Sequence, residues 1–133
     1  MRTVRSMLAL VFAGLLFGTL GCGDPASPGI QPEIVNNPDS FSYQVSAIQD
    51  YSAMSSYTWQ NSGTQANVNQ ACSMTSGAAT LVILDANGTQ VYSRSLADNG
   101  TFTTSSGVAG VWTIRILYDH TSATVNFRAD KTT

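Results

Sequence analysis

The stretch Val111–Tyr118 reads V-W-T-I-R-I-L-Y and decides the fold class. Every second side chain in it is large and apolar, and a threonine and an arginine separate the first three of them. The apolar set consists of Trp112, Ile114, Ile116 and Tyr118. Because successive side chains of a strand point to opposite faces, this alternation predicts a β-strand with one buried face.

The same period-two pattern recurs along the chain from Phe41 onward. It is present in Phe41–Val45, in Tyr57–Trp59, in Ala66–Val68 running on to Cys72, and in Val125–Ala129. Leu81–Leu84 is a continuous apolar run instead, which predicts a central strand covered on both faces. Residues 22–133 contain no long helical stripe of apolar side chains, although Ala47–Ser55 has room for one helical turn.

Two Asn-Gly pairs, Asn87-Gly88 and Asn99-Gly100, separate predicted strands. Asn-Gly favours the type I′ turn, in which both central residues need positive φ, so the two pairs predict hairpins in a meander over residues 79–105. Together these patterns predict about seven to eight short strands within residues 41–133. The predicted fold is therefore all-β, an antiparallel two-layer sandwich of jelly-roll type.

The N-terminus carries a targeting signal. Arg2 and Arg5 precede Met7–Leu20, a run of 14 residues without charge. A membrane-spanning helix needs about 20 apolar residues, so this run is too short to remain as an anchor. A short basic segment followed by a short apolar one predicts a cleaved signal peptide.

The residues Thr19-Leu20-Gly21-Cys22 resemble the lipobox of bacterial lipoproteins. The resemblance implies that residues 1–21 are removed and that Cys22 is the lipid attachment site, with palmitate among its acyl chains. In Gram-negative members an aspartate directly after the cysteine retains the protein at the inner membrane, so Gly23 in that place implies the outer membrane. The alternative is an ordinary signal peptide cut near Cys22, although no Ala-x-Ala motif lies between Leu20 and Pro28.

All four prolines lie within Gly23–Ser40. A segment this rich in Pro, Asn, Asp, Ser and Gly buries too little apolar surface to fold and tends toward extended polyproline geometry. The sequence therefore predicts three parts: a lipoprotein signal peptide at 1–21, the lipidated cysteine with a disordered flexible linker at 22–40, and a sandwich domain at 41–133.

Charge and cysteine use limit the partners. Of the six basic residues, Arg2 and Arg5 leave with the signal peptide, so four face eight acidic residues and no basic patch exists for nucleic acid. The predicted partners are the membrane, through the lipid on Cys22, and a polysaccharide or protein ligand. Lipidation leaves Cys72 as an odd cysteine, expected to be a small buried side chain, with a bridge to Cys22 or an exposed thiol as alternatives.

The second half of the chain resembles the bacterial pre-peptidase C-terminal type of β-sandwich. The matching segments are Gly77–Asp85, Asn87–Thr89, Gly110–Ile116 and Thr124–Arg128, with an Asp-x-x-Gly turn between strands and a later Gly-x-Trp-Thr-Ile strand. Modules of that group are appended to secreted peptidases and similar enzymes. The resemblance therefore implies a sandwich fold and a non-catalytic accessory role.

The residues do not predict an enzyme, a cofactor or a metal site. His120 is the only histidine, it lies in a polar stretch between two predicted strands, and no Gly-x-Ser-x-Gly motif occurs. A solvated loop histidine is expected. Calcium held by Asp85 and Asp98 beside the Asn-Gly pairs is an alternative to plain turn chemistry, but calcium needs six to eight oxygen ligands.

Tyr57, Trp59 and Tyr92 are the candidate ligand-binding residues, since rings that face solvent can stack on sugars or peptides. We predict a non-catalytic, lipid-anchored cell-envelope module for adhesion, scaffolding or ligand capture. The alternative is a carbohydrate- or peptide-binding accessory module of a secreted enzyme system. Three coplanar exposed rings would favour that alternative.

Overall fold

A computed structural model describes residues 29–132, and the predictions for the signal peptide and Cys22 lie outside that range. The described residues form seven strands: β1 Glu33–Asn37, β2 Ser40–Asn61, β3 Ala66–Gln70, β4 Ser73–Leu84, β5 Gln90–Ser95, β6 Gly100–Thr103 and β7 Gly110–Lys131. All strand pairs are antiparallel, which confirms the predicted all-β class. No helix in this part of the chain is long and apolar enough to cross a membrane.

The strand β7 is the centre of the sheet. One of its edges pairs with β2 over nearly the whole length of both strands. Its other edge is shared, because residues 113–124 pair with β4 and residues 127–131 pair with β3. The outer strands complete the sheet: β1 pairs with β2, β6 with β3, and β5 with β4.

The strands β2 and β7 are each 22 residues long, because each joins two segments that the sequence predicts as separate short strands. Their register shifts three times between Val45 and Ala53, and Ala47, Asp50 and His120 have positive φ. Bulges of this kind bend a strand without ending it. We call residues 46–52, 75–78 and 119–122 the bend. The helical turn for which Ala47–Ser55 had room does not form, since those residues are bulged strand.

The bend folds the sheet into two layers. The first layer contains β1, β3, β6, residues 40–45 of β2, residues 123–131 of β7 and residues 73–74 of β4. The second contains β5, residues 79–84 of β4, residues 53–61 of β2 and residues 110–118 of β7. Asp39 N, in the turn just before β2, donates to Gln60 O near the far end of β2 over 2.8 Å, so the two ends of this strand lie together. The two-layer sandwich is confirmed.

The core lies between the layers and is rich in aromatic rings. Tyr43 stacks on Phe127 within the first layer at 5.1 Å between centroids, and Trp59 meets Trp112 edge-on in the second at 6.0 Å. The buried hydroxyls of Tyr43 and Tyr118 join the layers over 2.6 Å. Burying a side chain such as Phe127 contributes about 1.5–3 kcal/mol, so these rings supply much of the stability of a domain of this size.

The two Asn-Gly pairs have different outcomes. Asn87-Gly88 does connect β4 to β5, but only Gly88 has positive φ and its N–H donates to Asp85 O over 3.0 Å, so the turn is not type I′. The hairpin predicted at Asn99-Gly100 is wrong, because β6 pairs with β3 and not with β5. Asn99 instead bonds the backbone of Cys72 through both of its amide atoms, at 2.8 and 3.0 Å.

The predicted boundary at residue 40 is also wrong. Glu33–Asn37 forms β1, which pairs with residues 40–44 of β2 as an edge strand. Pro32 precedes this strand and Pro38 follows it, so neither proline removes an N–H from the ladder, and an edge strand tolerates prolines in such places. The sandwich therefore begins at Glu33, inside the segment that the sequence predicts as a linker.

Leu81–Leu84 is central in the hydrogen-bonded sheet but is covered on one face only. Leu81 and Ile83 are buried, whereas Val82 and Leu84 point outward and are half-exposed. The prediction of two covered faces is therefore wrong. The continuous apolar run leaves apolar side chains on the outer surface of the second layer.

Candidate functional site

The three candidate aromatic residues do not form an exposed stacking surface. Trp59 is 1% exposed and Tyr92 is 7% exposed. Tyr57 is half-buried, and its ring lies 5.8 Å from that of Tyr43. The alternation of side chains along a strand could not predict that these rings are buried. It separates the two faces of the strand without indicating which face a second layer covers.

The polar atoms of the two buried rings are bonded within the domain. Trp59 Nε1 donates to Asn37 O over 3.1 Å, and Tyr92 Oη donates to Gln70 Oε1 over 2.7 Å. Burial raises the pKa of Tyr92 to about 12, so this hydroxyl stays protonated. Both residues therefore hold strands together, and the predicted ligand-binding role is corrected to a packing role for them.

His120 lies in the bend, inside β7, and not in a loop between two strands as the sequence predicts. Its Nδ1 lies 2.9 Å from Asp50 Oδ1, and this hydrogen bond raises the pKa of the imidazole. The side chain is 75% exposed. The pair resembles the base and orienting acid of a hydrolase, but within residues 29–132 no hydroxyl bonds the ring.

An open groove of about 510 Å³ runs beside the bend. Hydroxyl groups dominate its lining: Ser73, Thr75, Ser76, Ser122 and Thr124. Ser122 Oγ already accepts from Asp50 N over 3.0 Å. The groove offers hydrogen-bonding groups without a concentrated charge, so it has no feature that selects one class of ligand.

The loop at Asp85 is organised by hydrogen bonds to the carboxylate. Oδ1 accepts from Asn87 N and Thr89 N, and Oδ2 accepts from Val108 N, all at 2.9 Å. These N–H donors, that of Val108 first, lower the pKa of Asp85. No group of three His, Cys, Asp or Glu residues within 29–132 is close enough to hold a metal ion.

Cys72 is buried, as expected for the odd cysteine. Its Sγ lies 3.4 Å from Asn126 N and 3.5 Å from Asn126 O. Burial raises the pKa of the thiol, which disfavours the reactive thiolate. Cys72 therefore acts as a packing residue in the connection between β3 and β4.

The outer surface of the second layer, which we call the outer face, carries apolar side chains around one arginine. Cross-strand partners define it: Ser56, Arg115 and Val82 form one row, Met54, Leu117 and Thr80 the next toward the bend, and Thr58, Thr113 and Leu84 the next away from it. Met54 is 60% exposed, and Leu117 and Val111 on the same face are also exposed. Three of the five exposed large hydrophobic residues in the described chain therefore share this surface.

Arg115 lies in the middle of the outer face, and its Nε is buried without a hydrogen-bond partner. Each of the other basic residues in the described chain has an acidic neighbour, Arg94 with Asp98, Arg128 with Asp130 and Lys131 with Asp39. The alternation of Val111–Tyr118 places Arg115 on the outward side from sequence alone. Its lack of a partner depends on which side chains β2 and β4 bring beside it, so the sequence could not reveal it.

No family model, curated protein or solved structure matches this chain. The likeness of residues 77–128 to the pre-peptidase C-terminal sandwich therefore remains a prediction from their sequence. The fold itself is established by the strand pairing described above.

Proposed function

We propose that the protein is a lipid-anchored, non-catalytic module of the bacterial cell envelope that serves in adhesion, scaffolding or ligand capture. The observation that carries the proposal is the order of signals in the sequence: a basic start, 14 uncharged residues, then Gly21-Cys22. The first strand begins at Glu33, so ten residues separate it from Cys22. Eleven residue steps at no more than about 3.6 Å each mean that lipid on Cys22 would hold the sandwich within about 40 Å of its anchor.

The surface of the domain supports a binding role over a catalytic one. The Asp50–His120 pair lies on the bend, and its two side chains are 79% and 75% exposed to water. Catalytic groups gain much of their effect in water-excluded sites, where electrostatic interactions are strong. The outer face, by contrast, presents apolar side chains and an unpaired arginine, which is the composition of a contact surface.

Metabolic labelling with an alkyne fatty acid tests the anchor. Wild-type protein should take up the label, and Cys22→Ser should not. Cys72→Ser is the matched control, because it makes the same change at the buried cysteine and should label like wild type. Equal labelling of wild type and Cys22→Ser would disprove lipid attachment at Cys22.

The membrane of residence can be tested in a Gram-negative host. Gly23 after the lipidated cysteine implies transfer to the outer membrane, so the protein should sediment with outer-membrane markers in a density gradient. Gly23→Asp should move it to the inner-membrane fractions. Wild-type protein in the inner-membrane fractions would contradict the proposed location and leave the labelling result untouched.

The accessory-module alternative divides into two cases. Sugar recognition by stacking has lost two of its three candidates, since Trp59 and Tyr92 are buried and only Tyr57 is partly exposed. Peptide recognition needs no exposed rings, and the outer face offers a surface for it. A glycan array probed with the full-length protein should therefore give no hit that depends on Tyr57, and Tyr57→Ala is the variant that checks this.

A further inference from the structure

We propose that the outer face docks a protein partner that presents a carboxylate between apolar side chains. The inference rests on the proposed function for its setting, a module that captures a partner at the envelope, and it names the surface and the chemistry of that partner. The first observation is Arg115, whose buried Nε has no partner among the described residues. Buried polar groups are nearly always hydrogen-bonded in native proteins, so an orphaned one calls for an explanation.

The second observation is what surrounds that arginine. Met54 and Leu117 pair across β2 and β7 and both are exposed, and Val82 and Leu84 add half-buried apolar surface from β4. Hydroxyl side chains occupy the remaining positions of these rows. Methionine and arginine in an apolar centre bounded by polar groups is the composition that protein interfaces favour.

The outward surface of the first layer shows that this composition is not a general property of the sandwich. Ser42, Arg128 and Asn69 form a cross-strand row there, and Gln44 and Asn126 continue it. Arg128 bonds Asp130 through Nε over 3.0 Å. One outward surface is thus polar with its charge compensated, while the other is apolar with its charge uncompensated.

Charge selects the occupant. A guanidinium binds a carboxylate through two parallel hydrogen bonds, and one arginine neutralises one carboxylate. Two copies of this chain meeting through the same face would bring Arg115 against Arg115. An anionic membrane surface attracts clusters of basic residues, whereas the outer face has a single cation and the chain has a net charge of −2. A protein segment with a carboxylate is therefore the occupant that fits.

The size of the face limits the kind of contact that it can make. Residues 111–117 of β7 span about 20 Å, and the strands β2, β7 and β4 give a width of about 15 Å. The resulting area is about 300 Å², well below the roughly 800 Å² per partner of a standard stable interface. The outer face is suited to a short peptide segment or a transient contact.

Peptide panning tests the partner chemistry. A random twelve-residue display library is selected on full-length wild-type protein in detergent and counter-selected on Arg115→Gln. We expect enriched sequences with Asp or Glu flanked by apolar residues, and affinity at least about tenfold lower for Arg115→Gln. Arg128→Gln is the matched control on the same strand and should bind like wild type. Failure to enrich such sequences, or enrichment that survives Arg115→Gln, overturns the proposal.

Two further measurements test the same surface. Leu117→Ser changes an exposed residue and should weaken the enriched peptides even if Arg115→Gln folds poorly, and unchanged affinity would count against the face. The Arg115 Nε–H resonance should shift on adding the enriched peptide in phosphatidylcholine nanodiscs. The same shift produced by phosphatidylglycerol alone would identify a lipid headgroup and overturn a protein partner. Fatty-acid labelling of Cys22 reads the anchor independently of all these outcomes.

Discussion

The hydroxyl pair that joins the two layers should cost more stability when one member is removed than when both are. Tyr43 and Tyr118 are 75 residues apart in sequence, and their oxygens lie 2.6 Å apart in the core. Tyr43→Phe removes a net hydrogen bond and leaves the Tyr118 hydroxyl buried without that partner, at a total of about 1–3 kcal/mol. Tyr118→Phe should cost a similar amount. The double variant keeps both rings and leaves no hydroxyl buried without a partner, so a loss of stability of about 0–1 kcal/mol is expected.

The assay is urea unfolding of the wild type, the two single variants and the double variant. Unfolding is monitored by the fluorescence of Trp59 and Trp112, whose rings pack against each other in the core. Each single variant should lose more stability than the double variant, with a coupling energy between the two hydroxyls of at least about 1 kcal/mol. Tyr51→Phe is the control, because its half-buried ring lies 5.1 Å from that of Tyr118 outside the hydroxyl pair, and it should change stability by less than about 0.5 kcal/mol. Additive losses would refute the face-to-face packing at this point.

Three further predictions follow from the described contacts. Gly88→Ala should lower stability in thermal unfolding by about 1–2 kcal/mol, because of its positive φ alone. Gly77→Ala should lower it by about 3 kcal/mol or more, because the added Cβ would also collide with His120 O across the bend. Equal losses for the two variants would contradict a tight bend. The lowered pKa of Asp85 adds stability that is fully present above the unfolded pKa of about 3.9 and is lost as pH falls through the folded pKa. Asp85→Asn should therefore lower the urea midpoint at pH 7, and its difference from wild type should shrink as pH falls below about 3.9. A difference that stays constant with pH would contradict this. In Cys22→Ser protein, Cys72 should react with iodoacetamide only as fast as the domain unfolds, and rapid labelling in native buffer would show that the thiol is exposed.

The amino-acid sequence by itself determined the class of the fold and much of its core. Alternation in Val111–Tyr118 identified the buried side of β7, where Trp112, Ile114 and Ile116 are fully buried. The connection at Asn87-Gly88 was also predictable, although its turn type was not. These features are local, since the alternation of a strand and the φ of a turn depend on residues close together in the chain.

Tertiary structure alone decided how the strands join and which surfaces are covered. Strand pairing connects residues far apart in sequence, so the continuity of β2 and β7 through the bend, and the place of β1 at the edge, left no local signal. The burial of Trp59 and Tyr92 depends on the layer that folds over them. Arg115 is the clearest case: its own strand pattern placed it outward, but only the neighbours supplied by β2 and β4 leave its charge without a partner.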